Sequence, residues 1–258
     1  MSFLANLRKK TNELLIPTGF EIVRNSYLPF DRRVTKAEMR FPSPRLTNDF
    51  LIRFAKGCDT FIDIGCNRGK FAENFEAINP GVDWILVEPI PYLMKALKEK
   101  FATRNKTLFI EGAISSLPGI NKFYVTENDG QSSSLLKLGK RHIEASPDAL
   151  EIEAIDVKTF RLDDCVQDLN SFESGFLKID VQGSELDVIN SAEFVLGKTR
   201  AVHVEVSTQS LYDGDSIGHA IWKRLDEHGF KLYGIDPWFR DRNSNGELLQ
   251  ADFFFIRK

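Results

Sequence analysis

Cysteine is scarce in this 258-residue chain: Cys58, Cys66 and Cys165 are the full set. None stands in a C-x-x-C pair and the number is odd, so neither a disulfide framework nor a paired-cysteine metal site is encoded. The thiols read as small buried groups of a protein in a reducing compartment. No run approaches the roughly 18 apolar residues that would span a bilayer. The opening MSFLANLRKK is too charged for a secretory signal, so a cytoplasmic location is expected, with no integral membrane part. Excess charge of one sign is also missing: 34 Lys and Arg against 37 Asp and Glu give a net −3. A protein living on nucleic acid usually carries a basic surplus, so no nucleic-acid partner is expected. Internal repeats and low-complexity tracts are absent, and the apolar share of 42% is ordinary for a globular chain.

What is present is an alternation. Short apolar runs at 60–65 (TFIDIG), 83–88 (DWILVE), 107–113 (TLFIEGA), 175–181 (GFLKIDV) and 201–207 (AVHVEVS) read as strands. Helical periodicity lies between them at 70–78, 91–101, 185–196 and 217–228, which implies βαβ units and an α/β fold with a doubly wound, mostly parallel sheet. The last two runs, 230–236 and 251–258, have no helix between them and should form an antiparallel hairpin. Its joining segment, PWFRDRNSNGELLQ, holds Trp238, Phe239, Arg240 and Arg242. An aromatic–arginine loop of that kind could stack on a sugar ring or fold back onto the core. Residues 120–128 and 150–160 look like strands flanking a polar loop, DGQSSSLLKLGKRHIEASPD, too long for an idle connection. Upstream, Ser2–Leu15 has a modest helical pattern, and Pro44 opens another with Leu46, Phe50, Leu51 and Phe54. The expected organisation is an N-terminal helical extension, residues 1–58, packed on a domain of residues 59–258.

The sharpest motif is Asp63-Ile64-Gly65-Cys66-Asn67-Arg68-Gly69, where the first strand hands over to a helix. Glycines there let the backbone turn tightly and approach a ligand, and in a doubly wound sheet this is the crevice where ligands bind. Glu88 ends the next strand, where a carboxylate can accept hydrogen bonds from both ribose hydroxyls of a nucleoside. The dinucleotide fingerprint G-x-G-x-x-G is incomplete, because Asn67 stands between Gly65 and Gly69. Asp63 adds a carboxylate close by. Carboxylates suit a cofactor with an amino group and a positive charge better than one with phosphates, and S-adenosylmethionine has both.

Together, FIDIGCNRGKF, VEPIP, FLKIDVQGSEL and VHVEV resemble the FkbM family of class I S-adenosylmethionine-dependent methyltransferases. The resemblance runs from about Thr60 to the C-terminus. It implies a Rossmann-like seven-stranded sheet with a reversed last strand, and methyl transfer to a hydroxyl of a glycan or secondary metabolite. It also implies that Asp63, Gly65, Asn67 and Gly69 line the methionine end of the cofactor and that Glu88 holds the ribose. Glu111, Gly112 and Ala113 would then flank the adenine, and Ser133 and Ser134 match a serine-rich stretch of the family. Gln182 stands where the family often has Glu.

Alternation along FLKIDVQ puts Lys178, Asp180 and Gln182 on one face, and along AVHVEVS it puts His203 and Glu205 on one face. Charges in such strands need partners. A buried Lys178–Glu205 or Lys178–Asp180 pair is one reading, and a carboxylate-lined methyl-transfer pocket, to which Asp180 also contributes a cofactor contact, is the other. Losing the acceptor's proton needs a base. Asp180 is the first candidate, with Glu205 and His203 after it; His203 could equally be a core residue. Asp180 and Glu205 alone are a thin ligand set, so no metal is expected. His142, His219 and His228 show no ligand spacing. The alternatives are an NAD(P)-dependent oxidoreductase on the same sheet, or a non-catalytic cofactor-binding scaffold. A homodimer is compatible with everything above.

Overall fold

Near-continuous apolar strands, too greasy to leave a face in water, dictate a sheet covered on both sides. The computed structural model describes residues 44–166, 172–241 and 245–258. In chain order the elements are α1 (Pro44–Phe54), β1 (Thr60–Ile64), α2 (Lys70–Ile78), β2 (Asp83–Glu88), α3 (Pro91–Lys100), β3 (Thr107–Glu111), β4 (Ala113–Ile114), β5 (Gly119–Thr126) and α4 (Lys140–Ala145). There follow β6 (Glu151–Phe160), α5 (Leu162–Val166), β7 (Gly175–Ile179), α6 (Glu185–Asn190), α7 (Glu193–Lys198), β8 (Thr199–Ser207), α8 (Gly218–Glu227), β9 (Phe230–Asp241) and β10 (Glu247–Arg257).

Seven strands form one sheet in the order β3-β2-β1-β7-β8-β10-β9. The first five are parallel to one another, and β10 runs antiparallel to both β8 and β9. This is the doubly wound sheet with a reversed C-terminal hairpin that the alternation of runs implied. The strand order reverses direction between β1 and β7, which opens the switch-point crevice at their C-terminal ends. One face buries Phe50 of α1 against Phe176 and Phe254, and Phe61 stacks on Phe75 of α2 with ring centroids 4.1 Å apart. The opposite face packs Ile62, Leu177 and Val202 under α6, α7 and α8. Each such side chain removed from water contributes roughly 1.5–3 kcal/mol.

Four expectations are corrected. The run at 107–113 is two strands, because the chain leaves the main sheet at Gly112 to start a second one of order β4-β6-β5. A Cβ at Gly112 would stand 2.6 Å from the Lys158 carbonyl oxygen, so only glycine lets the two sheets diverge there. The helix at 185–196 is broken into α6 and α7 at Ser191, whose hydroxyl donates to Val188 O and accepts from Leu162 N. The segment carrying Trp238 and Phe239 is strand β9, not loop, since its pairing with β10 continues to Asp241. Arg242, and the helical pattern at Ser2–Leu15, lie outside the described residues. The long polar loop contains a helix of its own, α4.

Candidate active site

The crevice at the sheet's switch point encloses a cavity of about 670 Å³, inside the roughly 300–1,000 Å³ range of small-molecule sites. Its floor is the turn after β1. Gly65 has φ +76° and donates to Val87 O at 3.0 Å; a Cβ there would stand 1.8 Å from Asp180 O. The β1 and β7 backbones touch at this point, and glycine alone permits it. Glu88 closes one end. Its two carboxylate oxygens accept from Asn67 N at 2.8 Å and Ile90 N at 2.9 Å. Burial pushes the Glu88 carboxyl up to about 7, against the lowering effect of those two N–H groups. Gly112, Ala113, Ile114 and Phe123 make the neighbouring wall.

The other end is acidic. Register places Asp63 beside Lys178 and Lys178 beside His203. Lys178 stands 3.3 Å from Asp63 and 3.2 Å from Asp180, so it bridges two carboxylates where the sequence suggested a single partner. Burial alone would depress the Lys178 ammonium, but Asp180 and Asp63 together push it upward. Burial raises Asp63, with Lys178 opposing. Asp180 and Glu205 both line the cavity. Gln182 Nε2 donates to Asp180 Oδ1 at 2.9 Å and to Glu205 Oε2, and Gln250 Nε2 donates to the same Glu205 oxygen at 3.2 Å. Tyr212 donates from its hydroxyl to Gln182 Oε1 at 2.6 Å, which fixes the amide with its donor end toward the carboxylates. Glu205 is held well above the ordinary carboxylate range by burial and then by Asp180 and Asp252. Gln182 keeps φ +58°, uncommon for a side chain of its size, while Glu185 accepts from Gly183 N at 3.0 Å just beyond it.

The segment 127–134 lies across the cavity. Asn67 Nδ2 donates to Asp129 O at 3.0 Å, and Arg68 pairs with Asp129 at 2.9 Å. Ser133 lines the cavity, and its hydroxyl accepts from Thr126 N at 2.9 Å. Ser134 faces away and pins the segment by donating to Gln182 O at 2.7 Å.

The structure thus brings Gly65, Asn67, Glu88, Gly112, Ala113, Ser133, Asp180 and Glu205 to one cavity. Four other candidates stand apart from its lining. Asp63 is 0% exposed beneath the floor, where it pairs with Lys178. Gly69 caps α2 and packs toward Phe101 and Leu97. Glu111 is exposed and pairs with Lys98 at 3.5 Å. His203 lies between Phe71 and Phe254 with Nε2 3.0 Å from Asp252, the core position that was its alternative reading. Sequence reasoning missed Tyr212, Gln250 and His142. His142 lines the cavity with its ring edge-on to Tyr212, and burial holds it down at about 4, so it is neutral at pH 7. No local signal marks these three, because they arrive from three distant segments. Among the described residues no set of three or more His, Cys, Asp or Glu side chains is placed to hold a metal ion, and no helix is long and apolar enough to cross a membrane.

The donor set fits an adenosyl sulfonium compound: a carboxyl acceptor for a diol at Glu88, an apolar wall at Ile114 and Phe123, and the acidic pair Asp180 and Glu205 at the far end. The chain is similar to known proteins. The 2-O-methyltransferase NoeI of Sinorhizobium fredii (strain NBRC 101917 / NGR234) is 31% identical over 193 residues, covering 73% of this chain and 77% of the relative. Fibrillarin of Aeropyrum pernix, solved with natively bound S-adenosyl-L-methionine, superposes with a TM-score of 0.43 at 11% identity over 82% of this chain and 74% of its own. Precorrin-6y C5,15-methyltransferase of Geobacter metallireducens GS-15 gives 0.43 at 7% identity over 91% and 96%. Likeness at that level carries no argument about chemistry. The family model described as "Methyltransferase FkbM domain" matches residues 63–232, so the chain belongs to the FkbM methyltransferase family and is an enzyme of the S-adenosylmethionine-dependent class.

Proposed function

We propose that the cavity binds S-adenosylmethionine and that the chain methylates a hydroxyl of a glycan or secondary metabolite. The observation that carries this reading is the cavity's polarity: a diol-accepting carboxylate, Glu88, at one end and the Asp180–Glu205 carboxylates at the other. When bound, the cofactor supplies a methyl group on a positively charged sulfur. Glu88 is suited to accept hydrogen bonds from the two ribose hydroxyls, with Asn67 N and Ile90 N holding it still. The family's oxygen chemistry, and the printed activity of the relative that methylates at a 2-O position, favour an alcohol acceptor.

Attack by that alcohol requires a group to take its proton as the new carbon–oxygen bond forms. Asp180 is the proposed base. It is the most accessible carboxylate of the acidic end, with 31% of its side chain exposed, and Lys178 and Gln182 hold it from behind. Fixing acceptor oxygen and methyl carbon at ~3 Å supplies much of the rate. Trp238, 46% exposed on the rim and stacked on Phe239, offers the acceptor an aromatic face. Incubation with methyl-labelled cofactor and glycan or metabolite extracts, followed by mass spectrometry, tests the reading. Label on an acceptor oxygen is the expected result. Thermal stabilisation by NAD(H) and none by S-adenosylhomocysteine would overturn it.

A further inference from the structure

Resting on that cofactor placement, we propose that the Asp180–Glu205 pair reads the charge of the methyl donor. It favours the cationic sulfonium form and lets go of the neutral thioether left after transfer. Three observations lead here.

First, the strand order β2-β1-β7-β8 sets Glu88, Gly65, Asp180 and Glu205 side by side along one edge. Neighbouring strands lie roughly 4.8 Å apart, so Glu88 and Asp180 are about two intervals, some 10 Å, from each other. Gly65 stands between them and puts no side chain in the way. A nucleoside gripped through its ribose at Glu88 therefore has its sulfur end on the Asp180 side.

Second, the acidic end holds more carboxyl groups than cations. Asp63, Asp180, Glu185, Glu205, Asp236 and Asp252 surround it, and among the described residues the fixed cation with them is Lys178, shared between Asp63 and Asp180. The other groups facing the pair are His203, engaged with Asp252, and Tyr212.

Third, the other side chains holding the pair are amides. Gln182 and Gln250 donate N–H groups to the carboxyl oxygens and add no cation to Lys178, which pairs with Asp180 and is shared with Asp63. An arginine or lysine in either amide's place would have added a second cation. Tyr212 O–H locks Gln182 so that its carbonyl cannot turn toward the carboxylates. In a half-enclosed cavity such a field is worth far more than in bulk water.

Transfer removes the positive charge from sulfur, because the carbon–sulfur electron pair stays on it as the methyl leaves. The spent donor thus loses the attraction that held its parent.

Isothermal titration of the full chain at pH 7.5 tests this without any acceptor. The probes are S-adenosylhomocysteine, S-adenosylmethionine and sinefungin, whose amine places a positive charge where the sulfonium methyl stands. The wild type is expected to bind the two cationic ligands about tenfold more tightly than S-adenosylhomocysteine. D180N should bring that ratio to within about twofold while S-adenosylhomocysteine affinity, the internal check on folding, is kept. E205Q should lower the ratio by less. Equal affinities in the wild type, or a ratio unchanged in D180N, would overturn the proposal alone. If D180N does not fold, E205Q decides: a lowered ratio supports the proposal and an unchanged one defeats it. A wild type that binds none of the three overturns the placement at Glu88 along with it.

Discussion

Glu88 illustrates how much one side chain is asked to do. Both its oxygens already accept from backbone N–H groups, and burial raises its carboxyl to about 7. The ionised form is the better acceptor for ribose hydroxyls, so ligand binding should favour it. Glu88→Ala is therefore expected to weaken S-adenosylhomocysteine binding about tenfold or more by calorimetry, the cost of losing charge-assisted hydrogen bonds. In the wild type, affinity should rise as pH rises toward about 7, with a proton released on binding below that pH. Titrations in buffers of differing ionisation enthalpy read that proton directly. Gly65 shows the opposite kind of constraint. Gly65→Ala combines φ +76° with a Cβ 1.8 Å from Asp180 O, so β1 and β7 must separate. A lowered midpoint in thermal denaturation is expected, reflecting a destabilisation larger than the ~1–3 kcal/mol usual for overpacking.

Between elements, the β1–β7 pairing carries the decisive electrostatics. Asp63 and Lys178 face each other in register, and Asp63 is wholly buried. Lys178→Met leaves that carboxylate with no cation, and breaking a buried pair from one side typically costs about 3–5 kcal/mol. Urea denaturation should show this loss, with part of it recovered in the double variant Asp63→Asn, Lys178→Met, where the wholly buried carboxylate is gone and only the part-exposed Asp180 lacks its cation. If Lys178→Met alone is as stable as the wild type, the bridge does not anchor the crevice. The same pairing explains a limit of strand alternation as a guide. Alternation placed Lys178, Asp180 and Gln182 on one face, but not the neighbour that supplies Asp63. Only the parallel register across β1 and β7 does that.

For the molecule as a whole, buried carboxyls set a pH dependence, and two glutamates among them place it near neutral pH. Glu88 and Glu185 are both raised by burial from 4.5 to about 7. A raised carboxyl binds its proton more tightly in the folded chain, so its contribution is complete below about pH 4.5 and is lost as pH climbs through about 7. Each can contribute on the order of 3 kcal/mol at most. The melting temperature is expected to fall between pH 5 and 8, and Glu185→Gln should flatten that slope. An unchanged slope in this variant would remove Glu185 from the account. Glu185 accepts from Val181 N at 3.3 Å and Gly183 N at 3.0 Å, so its titration also loosens the turn that carries Gln182 toward the site.

Local order was legible because local physics sets it. The apolar runs at 60–65, 83–88, 175–181 and 201–207, the helical periodicities between them and the glycine turn with Glu88 all follow from period and turn chemistry. They determined a doubly wound sheet and its crevice. The long pairing of β9 with β10 through Trp238 and Phe239, the second sheet branching at Gly112, and the break at Ser191 depend on what each segment packs against. So does the division of charged candidates into cavity and core. Asp180 and Glu205 reach the cavity, whereas Asp63 and His203, spaced identically on their strands, lie one row deeper under α2 and Phe254. Sequence determined which residue types stand on which face. Tertiary structure decided which of them line the cavity, because depth along a strand and the arrival of Tyr212, Gln250 and His142 are set by contacts between residues far apart in the chain.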